Sequence, residues 1–152
     1  MATPSAGLLL YRRRDGKLEV LLVHPGGPFW QKRDEGAWSI PKGELAESEI
    51  ALDGARREFQ EELGEAAPGG DVASLGSVRQ SGGKTVHAWA VEGDFDVSQV
   101  RSGTFEVEWP PRSGRTERFP EVDRAGWFDV DTARRKMIPA QAAFLERLQD
   151  LP

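Results

Sequence analysis

The chain's first apolar run, Leu8 to Leu10, leads through Tyr11 into three arginines, and a second run, "LEVLLVHP", begins just after Asp15-Gly16. Short apolar segments on either side of an Asp-Gly pair predict two antiparallel strands joined by a tight turn. Residues 26 to 36, "GGPFWQKRDEG", show no period and mix glycine, proline and charge, which predicts a loop. "AWSI" then reads as a short strand ended by Pro41.

After Ser48 the period changes. Ile50, Ala51, Ala55, Phe59 and Leu63 recur at helical spacing, predicting an amphipathic helix with Ser48 as N-cap and Gly64 as C-cap. Gly54 inside it costs ~1 kcal/mol relative to alanine, which points to close packing at that position. "DVASLGSVRQ" and "KTVHAWAVEG", separated by Ser81-Gly82-Gly83, predict a second hairpin; "GTFEVEWP" and "DRAGWFDV" are further strands. "TARRKMIPAQAAFLERLQDL" is helical, broken by Pro139. Two helices among strands in this order predict a mixed α/β layered fold. Without repeats or a linker, residues 1–152 read as one domain.

Composition narrows the chemistry. There is no cysteine, which removes disulfides, thiolate nucleophiles and Cys-based metal sites and fits a reducing, cytoplasmic location. No apolar run approaches the roughly 20 residues that span a bilayer, and the charges of "MATPSAGLLLYRRR" follow its apolar stretch, the reverse of a signal peptide. A net charge of -5 argues against broad electrostatic binding of nucleic acid, although a local basic patch remains open.

The helix carries an unusual load. At about 100° per residue, Glu61 and Glu62 lie about 60° and about 40° to either side of Glu58, so three carboxylates share one patch. Charged helical runs are mostly solvated faces. Here, however, two acids occupy the last turn, where the helix dipole favours cations, and like charges at this spacing destabilise the helix. A hard dication, Mg²⁺ or Mn²⁺, would reverse the sign of that repulsion and would bridge carboxylates to substrate phosphates. Arg57 lies two turns from Glu49, so the pair could brace the helix against the preceding loop.

The stretch "GELAESEIALDGARREFQEELG" resembles the Nudix box, with Gly43, Glu49, Arg57, Glu58, Phe59, Glu61, Glu62 and Gly64 in register. Its seven fixed positions coincide by chance at about 10⁻⁷ per register. Glu65 departs, standing where an apolar residue is usual, which questions the helix exit rather than the chemistry. "WSIPKGE" and the late "EVDRAGW" extend the likeness over most of the chain.

That resemblance implies a Nudix-type α/β/α sandwich around a mixed sheet. It implies a Mg²⁺-dependent pyrophosphohydrolase, Mn²⁺ being a substitute, that acts on a nucleoside diphosphate derivative. A nucleoside or dinucleoside polyphosphate leads; ADP-ribose or another nucleotide sugar, and a non-catalytic nucleotide-sensing module, are the alternatives. A cap or 5′-triphosphate hydrolase would need a positive groove. Carried over by position, Glu58, Glu61, Glu62 and the Gly43 carbonyl are metal ligands, with Arg57 and Glu49 as supports. Glu121, six residues before Trp127, stands where the diadenosine tetraphosphate hydrolase branch has an acid, and is the candidate general base; Glu106, Glu108 and Glu58 compete for that role.

For substrate, Lys42 is placed to reach a phosphate and Glu44 to turn toward the metals. Arg112, Arg115 and Arg118 resemble a flexible basic flap for terminal phosphates. Phe29 and Trp30, in the irregular loop, are the candidates for a nucleobase platform, whereas Trp38, Trp89 and Trp127 sit in strand patterns and read as core. His24 and His87 lack a metal-spacing partner and read as structural. Family members are often homodimers, but no segment marks an interface.

Overall fold

In the computed structural model, which describes residues 3–152, the apolar run lies in strand β1 (Ser5–Arg14). Successive side chains of a strand point to opposite faces. Leu8 and Leu10 therefore enter one apolar cluster and Leu9 another, all fully buried. Strand β2 (Lys17–Pro25) repeats the arrangement, with Val20 and Leu22 joining Leu9, and Leu21 and Val23 joining Leu8. A continuous rather than alternating apolar pattern is what a strand covered on both faces requires.

Strand β3 (Lys42–Glu44), β4 (Val72–Arg79), β5 (Thr85–Glu92) and β8 (Val122–Asp129) complete a six-stranded sheet, ordered β4-β5-β1-β2-β8 with β3 added to β1. It is mixed: β1 and β5 run parallel, the other pairs antiparallel. One edge of β1 is shared, Tyr11–Arg14 pairing with β2 while Ser5–Gly7 pair with β3. Helix α1 (Ala51–Leu63) covers one face through Ala55, Phe59 and Leu63. Helices α2 (Val130–Lys136) and α3 (Ala142–Gln149) cover the other through Ala133, Phe144, Leu145 and Leu148. The result is the expected α/β/α sandwich. Strands β6 (Thr104–Glu108) and β7 (Thr116–Pro120) form a separate two-stranded hairpin.

Several local expectations need correction. Ser48 does not cap α1; its φ is +63°, and Ile50 is the N-cap residue without a side-chain hydrogen bond. The intervening Glu49 is drawn to Arg57, which delays the helix start. "AWSI" makes only isolated bridges, Val23 to Ser39 and Trp38 to Met137, and regular pairing resumes at β3. The expected break at Pro139 is present: a short 3₁₀ turn, Pro139–Gln141, separates α2 from α3. Part of the supposed basic flap is β7, where Arg118 faces Glu106 across the hairpin.

Of the three tryptophans assigned to the core, Trp38 alone is fully buried; Trp89 and Trp127 are half-buried. Trp89 stacks on His87 at 4.2 Å, and Trp127 carries the Arg12 guanidinium 4.0 Å above its ring. The Gly54 expectation holds: a Cβ there would meet Leu45 Cδ2 at 2.2 Å and Glu49 Oε1 at 3.0 Å. The Glu65 departure is absorbed by backbone. Gly64 takes the left-handed conformation, and the Arg101 N–H donates to the Leu63 carbonyl at 3.0 Å. An apolar side chain is therefore not needed to close the helix exit.

Candidate active site

The site is built where β2 leaves β1 and β3 enters. A cavity of about 180 Å³ opens there, with Val23 and Pro25 of β2, Lys42 of β3, Glu62 of α1 and Glu121 and Val122 around it. Trp30, Ala37, Ser39, Ile40 and Ile138 complete its walls. Its lining therefore combines charged and apolar side chains. Glu62 and Lys42 arrive from α1 and β3, and Glu121 from the joint between β7 and β8. The Glu121 backbone is pinned on both sides, accepting from Gly26 N–H at 3.0 Å and donating to the Gly103 carbonyl at 2.9 Å.

Arg57 organises the approach. Its Nε and Nη2 donate to the two Glu49 oxygens at 2.8 and 2.9 Å, and Nη1 donates to Glu58 at 2.9 Å and Glu61 at 3.1 Å. Nη2 also reaches the Glu44 carbonyl at 3.1 Å. Such a planar fork fixes both helix and loop. The guanidinium and the Ala46 N–H hold the Glu49 carboxyl down to about 2, and Glu49 in turn raises Arg57 above its ordinary value.

The other two glutamates behave differently. Burial pushes the Glu62 carboxyl up to about 8, against one hydrogen bond from Lys42 N–H at 3.2 Å; Glu58 and Glu121 add repulsion. Burial likewise raises Glu58, opposed by its bond to Arg57. Burial and then the charge of Lys84 hold the Lys42 ammonium below its usual value. Gly43 provides room for this pair: a Cβ there would lie 2.1 Å from the Glu58 carboxyl carbon. The cluster is short of positive charge where its carboxylates are most buried.

The structure thus brings Lys42, Gly43, Glu58, Glu62 and Glu121 together, with Arg57 and Glu49 behind them. Glu61 turns outward to Arg57 and is about half exposed, so the three helix carboxylates do not converge as placed. Among the described residues, no three His, Cys, Asp or Glu side chains are gathered closely enough to enclose a metal ion as they stand. Glu44 faces Lys84 at 3.6 Å rather than Glu58. Arg118 is engaged by Glu106, while Arg112 and Arg115 lie exposed in the hairpin turn. Glu108 accepts from the Arg112 N–H at 2.9 Å, so the two competitors on β6 are both occupied.

The aromatic pair divides. Trp30 lines the cavity, whereas Phe29 meets Trp109 edge to face at 5.6 Å. Sequence reasoning missed Trp109, whose partner lies 80 residues away in sequence; its only local signal is an aromatic residue beside a proline pair. It also missed the apolar lining, since nothing local in the sequence marks Val23, Ile40 and Val122 as facing a cavity. A larger cleft of about 630 Å³ lies elsewhere, between Arg12, Arg14, Asp94 and Trp127. Arg12 there is paired with Glu19 and Asp94 at 2.8 and 2.7 Å.

The model of the NUDIX domain family matches residues 1–148. The chain belongs to the Nudix family. Nudix membership places it among hydrolases acting on pyrophosphate bonds, a family that generally uses divalent metal ions. No curated protein matches the chain by sequence. Solved structures do match it in fold. A C. elegans Ap4A hydrolase in a binary complex superimposes with a TM-score of 0.66 at 20% identity, covering 97% of this chain and 96% of that one. The NUDIX domain of Shewanella oneidensis NrtR complexed with ADP ribose gives 0.67 at 16%, covering 99% and 88%. The MutT protein from Methanosarcina mazei Go1 gives 0.62 at 20%, covering 97% and 92%. At these identities the likeness is one of fold.

Proposed function

We propose that this Nudix protein is a Mg²⁺-dependent pyrophosphohydrolase of nucleoside or dinucleoside polyphosphates, with Mn²⁺ as a substitute ion. The observation that carries the reading is one cavity lined by Glu62, Glu121 and Lys42 together with apolar residues, with Glu58 close enough to repel Glu62. The residues fit a dication: the donors are all oxygen, two carboxylates are held above their ordinary range by burial, and the missing Gly43 side chain leaves room beside Glu58. Glu58, Glu62 and the Gly43 backbone would hold it, and Glu61 would join on releasing Arg57. What such an ion supplies is charge neutralisation on the diphosphate and a lowered pKa for the attacking water.

This chain's own groups do the rest. Arg57 and Glu49 keep Glu58 oriented, and Lys42 offers a phosphate oxygen an ammonium that burial has stripped of competing water. Glu121 is the general base. Its carboxylate makes no hydrogen bond among the described residues and lines the cavity, whereas Glu58 is already bonded to Arg57. Trp30, which lines the same cavity, gives a base a flat apolar surface.

A second reading is ADP-ribose or another nucleotide sugar, favoured by the equal fold likeness to the domain solved with ADP ribose. A non-catalytic nucleotide sensor is disfavoured because every charged residue of the box is present. Product release from a panel of dinucleoside tetraphosphate, nucleoside triphosphate and ADP-ribose, with Mg²⁺ or excess chelator, tests all three. The polyphosphate is expected to turn over fastest and chelator to abolish the rate. Chelator-resistant turnover refutes the metal role, and silence on every substrate leaves the sensor.

A further inference from the structure

His24 is fully buried, and both of its ring nitrogens are engaged. Nδ1 lies 2.9 Å from Asp123 Oδ1, and Nε2 lies 2.6 Å from the Arg33 carbonyl oxygen. The ring thus bridges a carboxylate and a backbone carbonyl inside the protein, where an unmade hydrogen bond is most costly.

The two bonds join segments that meet at the cavity. Arg33 ends the second of two successive turns in the 26–36 loop: the Trp30 N–H donates to the Gly27 carbonyl at 3.4 Å, and the Arg33 N–H to that of Trp30 at 2.9 Å. Asp123 directly follows Glu121 and Val122, both in the cavity wall. We propose that His24 is a positioning residue, whose ring ties the aromatic loop to β8 and so fixes Trp30 and Glu121 for nucleotide binding. This rests on the proposed nucleotide ligand but not on its hydrolysis.

The charges around the ring come from three elements. From β8 come Asp123 and Arg124, whose guanidinium lies 5.3 Å from the Trp38 ring centre. The loop contributes Arg33, which lies 5.6 Å from the Trp30 ring centre, and Asp34. From the end of α2, Lys136 pairs with Asp34, which also accepts from Trp38 Nε1 at 2.8 Å. Trp38 itself meets the His24 ring edge at 5.1 Å. Asp123 is the one charged side chain bonded to the imidazole among the described residues.

Two readouts on the full chain test this without turnover. In His24→Gln, which keeps one donor, amide exchange at Gly36, Ala37 and Trp38 is expected to rise about tenfold. Affinity of the same variant for a methylene-bridged ATP analogue with Mg²⁺ is expected to fall about tenfold. Asp123→Asn, at a partly exposed position, keeps an oxygen facing the ring and is expected to change both less. A fully protected loop in His24→Gln overturns the proposal, as does a loosened loop with no change in analogue affinity. A protein that binds but never hydrolyses the nucleotide refutes the hydrolase reading and leaves this one standing.

Discussion

A single buried carboxylate gives the sharpest residue-scale expectation. The Glu62 carboxyl titrates near 8 in the folded chain and near 4.5 when unfolded. Below the lower value both states are protonated and nothing is lost. Between the two the unfolded state ionises first, so the metal-free protein loses stability as pH rises, by on the order of a few kcal/mol in total. Denaturant unfolding of metal-free Glu62→Gln is expected to show little of this slope and greater stability than wild type at pH 8. Its turnover with Mg²⁺ is expected to fall by about two orders of magnitude or more. Gly43→Ala makes the companion test. Its Cβ would meet the Glu58 carboxylate, a movable side-chain end, so the fold should persist while turnover drops about 100-fold. Glu58, Glu62 and Gly43 were legible in sequence because the box fixes their spacing along one helix and one turn. The outward turn of Glu61 was not, since both orientations satisfy the same helical position and Arg57 decides between them.

At the scale of elements, legibility followed how local the deciding contact is. The first hairpin and α1 declare themselves through an Asp-Gly turn and a regular apolar period, and both formed. β3 did not, because three residues of "KGE" carry no strand pattern and are made a strand only by Ser5–Gly7 alongside them. The same holds for β7, whose charged sequence pairs because β6 stands opposite. Gly7 sits at the β1–β3 seam: a Cβ there would lie 2.5 Å from the Pro41 carbonyl oxygen, and that backbone cannot swing away, since Leu8 N–H donates to it at 3.2 Å. Gly7→Ala is therefore expected to destabilise the protein by about 1–3 kcal/mol, read by denaturant unfolding, and to lower turnover as Lys42 shifts.

For the molecule as a whole, protons and dications compete for the same buried carboxyls. Mg²⁺ is expected to raise the melting temperature of wild type clearly at pH 8 and much less at pH 5, where Glu62 holds its proton. Equal shifts at both pH values would place the ion elsewhere. The molecule's outline was readable as layers from the alternation of strands and helices, whereas the cavity was not, because its walls come from segments up to 115 residues apart, Val23 to Ile138. The sharing of one β1 edge between two neighbours has a last consequence. The hydrolytic half of the site hangs on β3 and α1, while its aromatic half hangs on the 26–36 loop and the outlying hairpin. The two are separate limbs of one frame, so a descendant chain can trade its grip on one guest molecule for another by rebuilding the outer limb, with the bond-breaking machinery left as it is.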